Sequence, residues 1–70
     1  MKTCKRKPEY PDWAKYRAVD KYGAVCVYEN KPHPRISVWD YDGTDKRWRY
    51  VKTKKNPPKD WTKTLRRIED

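Results

Sequence analysis

Phenylalanine is absent from this chain of 70 residues, leucine occurs once, at Leu65, and there are only two glycines, two cysteines and one histidine. So few large aliphatic side chains exclude an ordinary aliphatic core. The apolar burden passes to four tryptophans and six tyrosines, with Val, Ile and Ala beside them. An aromatic ring buries roughly 150–250 Å² when it packs, so about six of them can replace the missing core. Disordered chains are poor in aromatic and β-branched residues, so this one is expected to fold, as one small domain with a thin core. No apolar run approaches the about 18 residues that a membrane-spanning helix needs. The basic opening from Met1 to Pro11 has no apolar stretch behind it, so a secretory signal is not expected and a cytoplasmic location is.

The same scarcities bound the chemistry. Two glycines cannot build a glycine-rich phosphate loop, and a lone His33 between Pro32 and Pro34 offers no serine–histidine relay. Cys4, Cys26 and His33 lack any paired metal-ligand spacing, and a fourth ligand would have to be a carboxylate, so no zinc site is expected. Two cysteines are a weak disulfide framework; free thiols, Cys26 buried and Cys4 exposed, are the expectation over a single bridge. Pro11-Asp12 followed by Glu29-Asn30-Lys31 has the spacing of a metal-dependent nuclease signature, but the chain is too short for the helices such a site needs. Asp12, Glu29 and Lys31 therefore read as surface residues. Asp40-Tyr41-Asp42-Gly43-Thr44-Asp45 has its glycine fourth instead of sixth and lacks a closing glutamate, so it reads as a hairpin turn and not a calcium loop. No catalysis, metal or cofactor is expected.

What is abundant is positive charge, and it is unevenly placed. From Lys46 to Arg67 there are ten Lys or Arg against one acid, Asp60, while Tyr10 to Asp45 carries five bases against six acids. The net charge of +9 thus belongs to the two ends, mostly to the stretch that also holds Trp48, Tyr50 and Trp61. Basic side chains interleaved with aromatics suit a polyanion whose bases can stack.

Residues 1–11 read as a basic flexible arm, and residues 12–70 as a single domain. Alternation over 13–19 and an apolar, β-branched run over 24–29 predict two strands, with Asp20–Gly23 as the turn between them. Lys31–Pro34 reads as a loop, because its prolines cannot donate to a ladder. Strands are expected again over 35–41 and 46–52, around Asp42-Gly43, with Trp48 and Tyr50 on one face and Arg47, Arg49 and Val51 on the other. Asp60 resembles a helix N-cap, and Trp61, Leu65 and Ile68 share one helical face, so a helix is expected over 60–69. The predicted fold is α+β and β-dominated: a small antiparallel β-meander of about four strands with one short C-terminal helix packed on it. Its expected core is Trp13, Tyr16, Val25, Val27, Ile36, Val38, Trp48 and Leu65.

Trp13-Ala14-Lys15-Tyr16, Ala18, Asp20, Gly23 and Val27-Tyr28-Glu29-Asn30-Lys31-Pro32, with Trp61 and Leu65 near the end, resemble a recurring pattern in small accessory proteins of tailed bacteriophages and prophages. The resemblance covers Pro11 to Pro32 well and leaves out the basic arm and Arg35–Lys55. It implies a phage-encoded protein acting in the bacterial host cytoplasm, and it brings no assigned activity.

Two functional expectations stand side by side. In one, the protein binds DNA or RNA with weak sequence preference, chiefly through phosphates, using Lys5, Arg6, Lys7, Arg47, Arg49, Lys52, Lys54, Lys55 and Lys59. In the other, it is an inhibitor or adaptor that docks on a host protein through Arg35, Trp39 and Tyr41. A difficulty attaches to the first: if Trp48 and Tyr50 pack inward, they cannot stack on bases.

Overall fold

A computed structural model describes residues 2–40 and 47–69. The hairpin that alternation predicts is its centre. Strand β2 (Tyr16–Val19) pairs antiparallel with β3 (Ala24–Tyr28), in the register Tyr16 to Tyr28 and Val19 to Val25. The turn between them is held by Asp20, one of whose carboxylate oxygens accepts from the backbone N–H groups of Tyr22 (2.8 Å) and Ala24 (3.0 Å). Gly23 adopts φ +91°, a left-handed conformation that side chains with a Cβ resist. It also lies so close to a later loop that an added Cβ would meet the Lys54 carbonyl oxygen at 2.9 Å.

Beyond the hairpin the topology departs from a meander. Strand β1 (Thr3–Lys5) runs parallel to the C-terminal strand β7 (Arg66–Glu69), which lies between it and β2. With β6 (Trp48–Thr53) antiparallel to β3, the sheet order is β1-β7-β2-β3-β6. A bulge at Val51 in β6 shifts the register between Cys26, opposite Tyr50, and Val25, opposite Lys52. A second, two-stranded ladder joins β4 (His33–Pro34) to β5 (Trp39–Asp40).

Several sequence expectations are corrected here. The sheet is mixed, not an antiparallel meander, and there is no α-helix among the described residues. In place of a helix over 60–69 the chain makes a 3-10 turn, Trp61–Lys63, and then β7. Asp60 makes no side-chain capping bond, and a nine-residue helix has little stability of its own. As a strand, by contrast, β7 is paired on both sides: the Arg67 N–H donates to the Lys2 carbonyl (3.0 Å) and the Ile68 N–H to that of Lys15 (2.8 Å). The helical spacing of Trp61, Leu65 and Ile68 was coincidental, since Ile68 packs in a different cluster from the other two. The arm expected over 1–11 contributes β1. Of the strand expected over 35–41, the described residues form β5 alone, preceded by a tight turn in which the Arg35 N–H donates to the Val38 carbonyl (2.9 Å). His33 and Pro34, expected in a loop, form β4 at the edge of a ladder, where proline is tolerated. The Asp42-Gly43 turn lies outside the described residues.

The core is split by the sheet. One cluster joins Tyr10, Ala14, Val27 and Ile68, with Cys4, Trp13 and Val51 packed against it. The other joins Ala18, Tyr28 and Trp39, with Tyr16, Cys26, Trp61 and Leu65. Cys4 and Cys26 are free thiols in different clusters, and both are half-buried. Of the expected core, Val25 and Val27 are buried, and Trp13, Tyr16 and Leu65 half-buried. Ile36 is 97% exposed, and Val38 and Trp48 are exposed as well. Trp39, which the sequence left as a candidate surface anchor, is 7% exposed. Its indole N–H donates to the Val19 carbonyl (2.9 Å), and its ring meets Trp61 edge-on at 6.0 Å between centroids.

Candidate functional site

Strand β6 ends the sheet order, and alternation along it separates two kinds of side chain. Trp48 and Tyr50 lie opposite Tyr28 and Cys26 of β3 and share their face of the sheet. Arg49, opposite Val27, belongs to the other face, and after the bulge so does Lys52, opposite Val25. The rings at 48 and 50 are not core: Trp48 is 49% exposed and Tyr50 52%. An edge strand has a neighbour on one side only, so its side chains are covered less than those of β3. The difficulty that the sequence raised, of rings packed inward and unable to stack, is therefore absent.

Beside these two rings lies an open cleft of about 310 Å³, whose walls include Asp20, Cys26, Tyr28, Trp39, Trp48 and Tyr50. The fold accounts for each wall. Cys26 and Tyr28 come from alternate positions of β3. Asp20 is set by the turn that it braces, and Trp39 by its bond to Val19. The Tyr50 hydroxyl is held by the Thr53 hydroxyl at 2.6 Å. Burial raises the pKa of the Cys26 thiol, and the charge of Asp20 adds to this, against a hydrogen bond with Tyr28 that lowers it. Burial likewise raises the Tyr28 hydroxyl far above its ordinary value, reinforced by Cys26, Asp20 and Asp40. Both groups are thus neutral near pH 7, and Cys26 is a poor nucleophile there. Among the described residues, Asp20 is the single acidic residue on the cleft wall.

The cations named from the sequence do not form one surface. Arg49, Lys52, Lys54, Lys55 and Lys59 are exposed, on β6 or in the segment that follows it. Lys5 lies on β1 at the opposite edge, four strand spacings or about 19 Å away, and Lys7 is exposed in the loop after it. Arg6 serves the fold: its guanidinium donates to the carbonyls of Pro11 (3.1 Å) and Ala14 (2.6 Å). Arg47 bonds the Glu29 carboxylate at 2.6 Å and lies over the Trp13 ring, 5.1 Å from its centroid. Of the alternative set, Arg35 pairs with Asp40 at 2.9 Å, Trp39 is buried, and Tyr41 lies outside the described residues.

Asp12, Glu29 and Lys31 do not assemble a metal site; Glu29 is taken up by Arg47, and among the described residues no three His, Cys, Asp or Glu gather around one point. No helix among them is long and apolar enough to cross a membrane. The sequence reading missed Asp20, Cys26 and Tyr28 as neighbours of Trp48 and Tyr50. The period-2 signal in β3 was present, but only the register with β6 brings the two rows together. No protein family, curated protein or solved structure matches the chain.

Proposed function

We propose that this is a non-catalytic, phage-encoded accessory protein that binds nucleic acid along the β6 edge in the host cytoplasm. One observation carries the reading: a single edge strand presents two half-exposed aromatic rings on one face and Arg49 and Lys52 on the other. A polynucleotide lying over that edge has its phosphates against Arg49, Lys52, Lys54, Lys55 and Lys59, while its bases fold onto Trp48 and Tyr50. The phosphate contacts supply affinity without sequence information, and the rings favour an unpaired strand, because a base in a duplex has no free face to offer. Titration of the protein with short single-stranded and duplex oligonucleotides across a range of salt tests this. The expected result is tighter binding of the single strand and log K falling linearly with log salt. Absence of binding at low salt overturns the reading.

A second reading, docking on a host protein, is favoured by a different observation. Ile36 stands 97% exposed at the tip of the turn before β5, with Val38, also exposed, beside it. On that reading Ile36 replaces Trp39 as the anchor. A partner retained from host lysate after nuclease treatment, and lost with Ile36→Ser, would support it over nucleic acid.

A further inference from the structure

The cleft beside β6 has a composition that simple stacking does not need. Stacking asks for flat, exposed rings, and Trp48 and Tyr50 supply them. Behind them, however, is a recess of about 310 Å³, at the low end of the about 300–1,000 Å³ range of small-molecule pockets, with the rings of Tyr28 and Trp39 and, among the described residues, one carboxylate, Asp20, on its wall. The indole N–H of Trp39 is spent on Val19, and the Tyr50 hydroxyl is engaged by Thr53, so Trp39 contributes an apolar surface and Tyr50 a ring held in place. The two backbone N–H groups that brace the turn both bond one oxygen of Asp20, Oδ1. A carboxylate accepts at both oxygens, so Asp20 has accepting capacity beyond its structural role.

We propose that this cleft receives one unpaired base of the strand held along β6, and that Asp20 selects guanine. The inference rests on the nucleic-acid reading above and specifies which part of the ligand enters the recess. Guanine alone among the four bases presents two adjacent donors, N1–H and the N2 amino group, which can converge on Oδ2, the Asp20 oxygen that the turn N–H groups do not use. Adenine and cytosine pair one amino donor with a neighbouring acceptor, which the carboxylate repels, and thymine or uracil flanks its one N–H with two carbonyls. The occupant is a base of a polyanion and not an organic cation because of charge. The chain carries +9, and Lys52, Lys54 and Lys55 lie on β6 or directly after it.

The test varies the ligand first, so that it needs no mutant to fold. Short oligothymidylate strands carrying a single central guanine, inosine, adenine or cytosine are titrated against the intact protein at fixed salt, with tryptophan fluorescence as the signal. The guanine strand is expected to bind about tenfold or more tightly than the all-thymidine strand. Inosine, which lacks the N2 amino group, is expected to lose most of that preference. Asp20→Asn keeps an acceptor for the two turn N–H groups but turns an amide toward the base; it should reduce the guanine preference to within about twofold and leave the salt dependence unchanged. Equal affinity for all strands with a normal salt slope overturns the base pocket while leaving the phosphate reading in place. No binding of any strand overturns both. Quenching by choline in place of a guanine preference identifies an aromatic cage for a cation and likewise overturns the proposal.

Discussion

The two faces of the sheet use the same residue types for opposite ends. On the face of Val27 and Ile68, the loop carrying Tyr10, Trp13 and Ala14 closes over the strands. Cations lock it there: Arg6 ties the loop to itself through Pro11 and Ala14, and Arg47 joins Glu29 to the Trp13 ring. On the face of Ala18 and Tyr28 the cover is Trp39 with Trp61, and it stops short of β6. Trp48 and Tyr50 are left half-exposed beside a cleft. An arginine next to an aromatic is thus part of the fold on the first face, whereas on the second Trp48 and Tyr50 stay half-exposed. Counting basic and aromatic residues along the chain cannot separate the two; their burial does.

The comparison breaks most severely at Trp39. Trp39→Ala removes the buried cover of the open face and one of the two side-chain donors to the Val19 carbonyl, the other being the Thr64 hydroxyl, for a loss of about 3–5 kcal/mol in chemical denaturation followed by circular dichroism. That approaches the whole stability of a domain this small. The contrasting change, Trp48→Ala, removes a half-exposed ring; it should cost little stability and weaken single-strand binding by about fivefold or more. A large loss of stability at Trp48, or a small one at Trp39, would reverse the assignment of cover and platform.

Gly23→Ala comes next. It forces a Cβ onto a backbone at φ +91° and within 2.9 Å of the Lys54 carbonyl, where strain of this kind costs about 1–3 kcal/mol. Arg6→Ala tests the closed face: losing its two bonds to Pro11 and Ala14 should cost about 1–3 kcal/mol with little change in nucleic-acid affinity. An Arg6 variant of full stability and weakened binding would move Arg6 to the ligand.

Alkaline titration sharpens the same contrast, because Cys26 and Tyr28, whose pKa values are raised, lie on the open face. Folding holds the protons of Cys26 and Tyr28 above the ordinary values of 9.0 and 10.0. Below those values both groups are protonated whether the chain is folded or not, so their contribution is constant. Above them the unfolded chain ionises first, and stability falls as the pH rises further. Denaturation midpoints should be flat from neutral pH to about pH 9 in this respect and decline beyond it, and Tyr28→Phe should blunt the decline.

The smallest effect on stability is expected from replacing Lys52, Lys54, Lys55 and Lys59 together by Gln. All four are exposed, and such changes cost within about 0.5 kcal/mol each. The salt slope of binding, however, should drop by up to about 3–4 units. An unchanged slope in an oligonucleotide titration would remove this segment from the interface.

Read alone, the sequence determined whatever a short stretch of backbone decides for itself. Period-2 alternation and the turn at Gly23 were enough for the β2–β3 hairpin, because a two-residue period and a left-handed glycine are local matters. The opposition of Trp48 and Tyr50 to Arg47 and Arg49 was legible for the same reason, as was the concentration of charge near them. Only the tertiary structure decided which of those faces would be covered. Lys2 to Lys5 carries almost no apolar signal, and β1 exists because β7 offers it a parallel partner more than sixty residues away in the chain. Trp61, Leu65 and Ile68 fit a helix locally, but two flanking strands satisfied more backbone groups than a nine-residue helix can. Trp39 went inward and Trp48 outward, although neither neighbourhood announces it, because burial depends on what the rest of the chain lays over a position. The cleft, in turn, needs the β3–β6 register, which no single stretch of sequence contains.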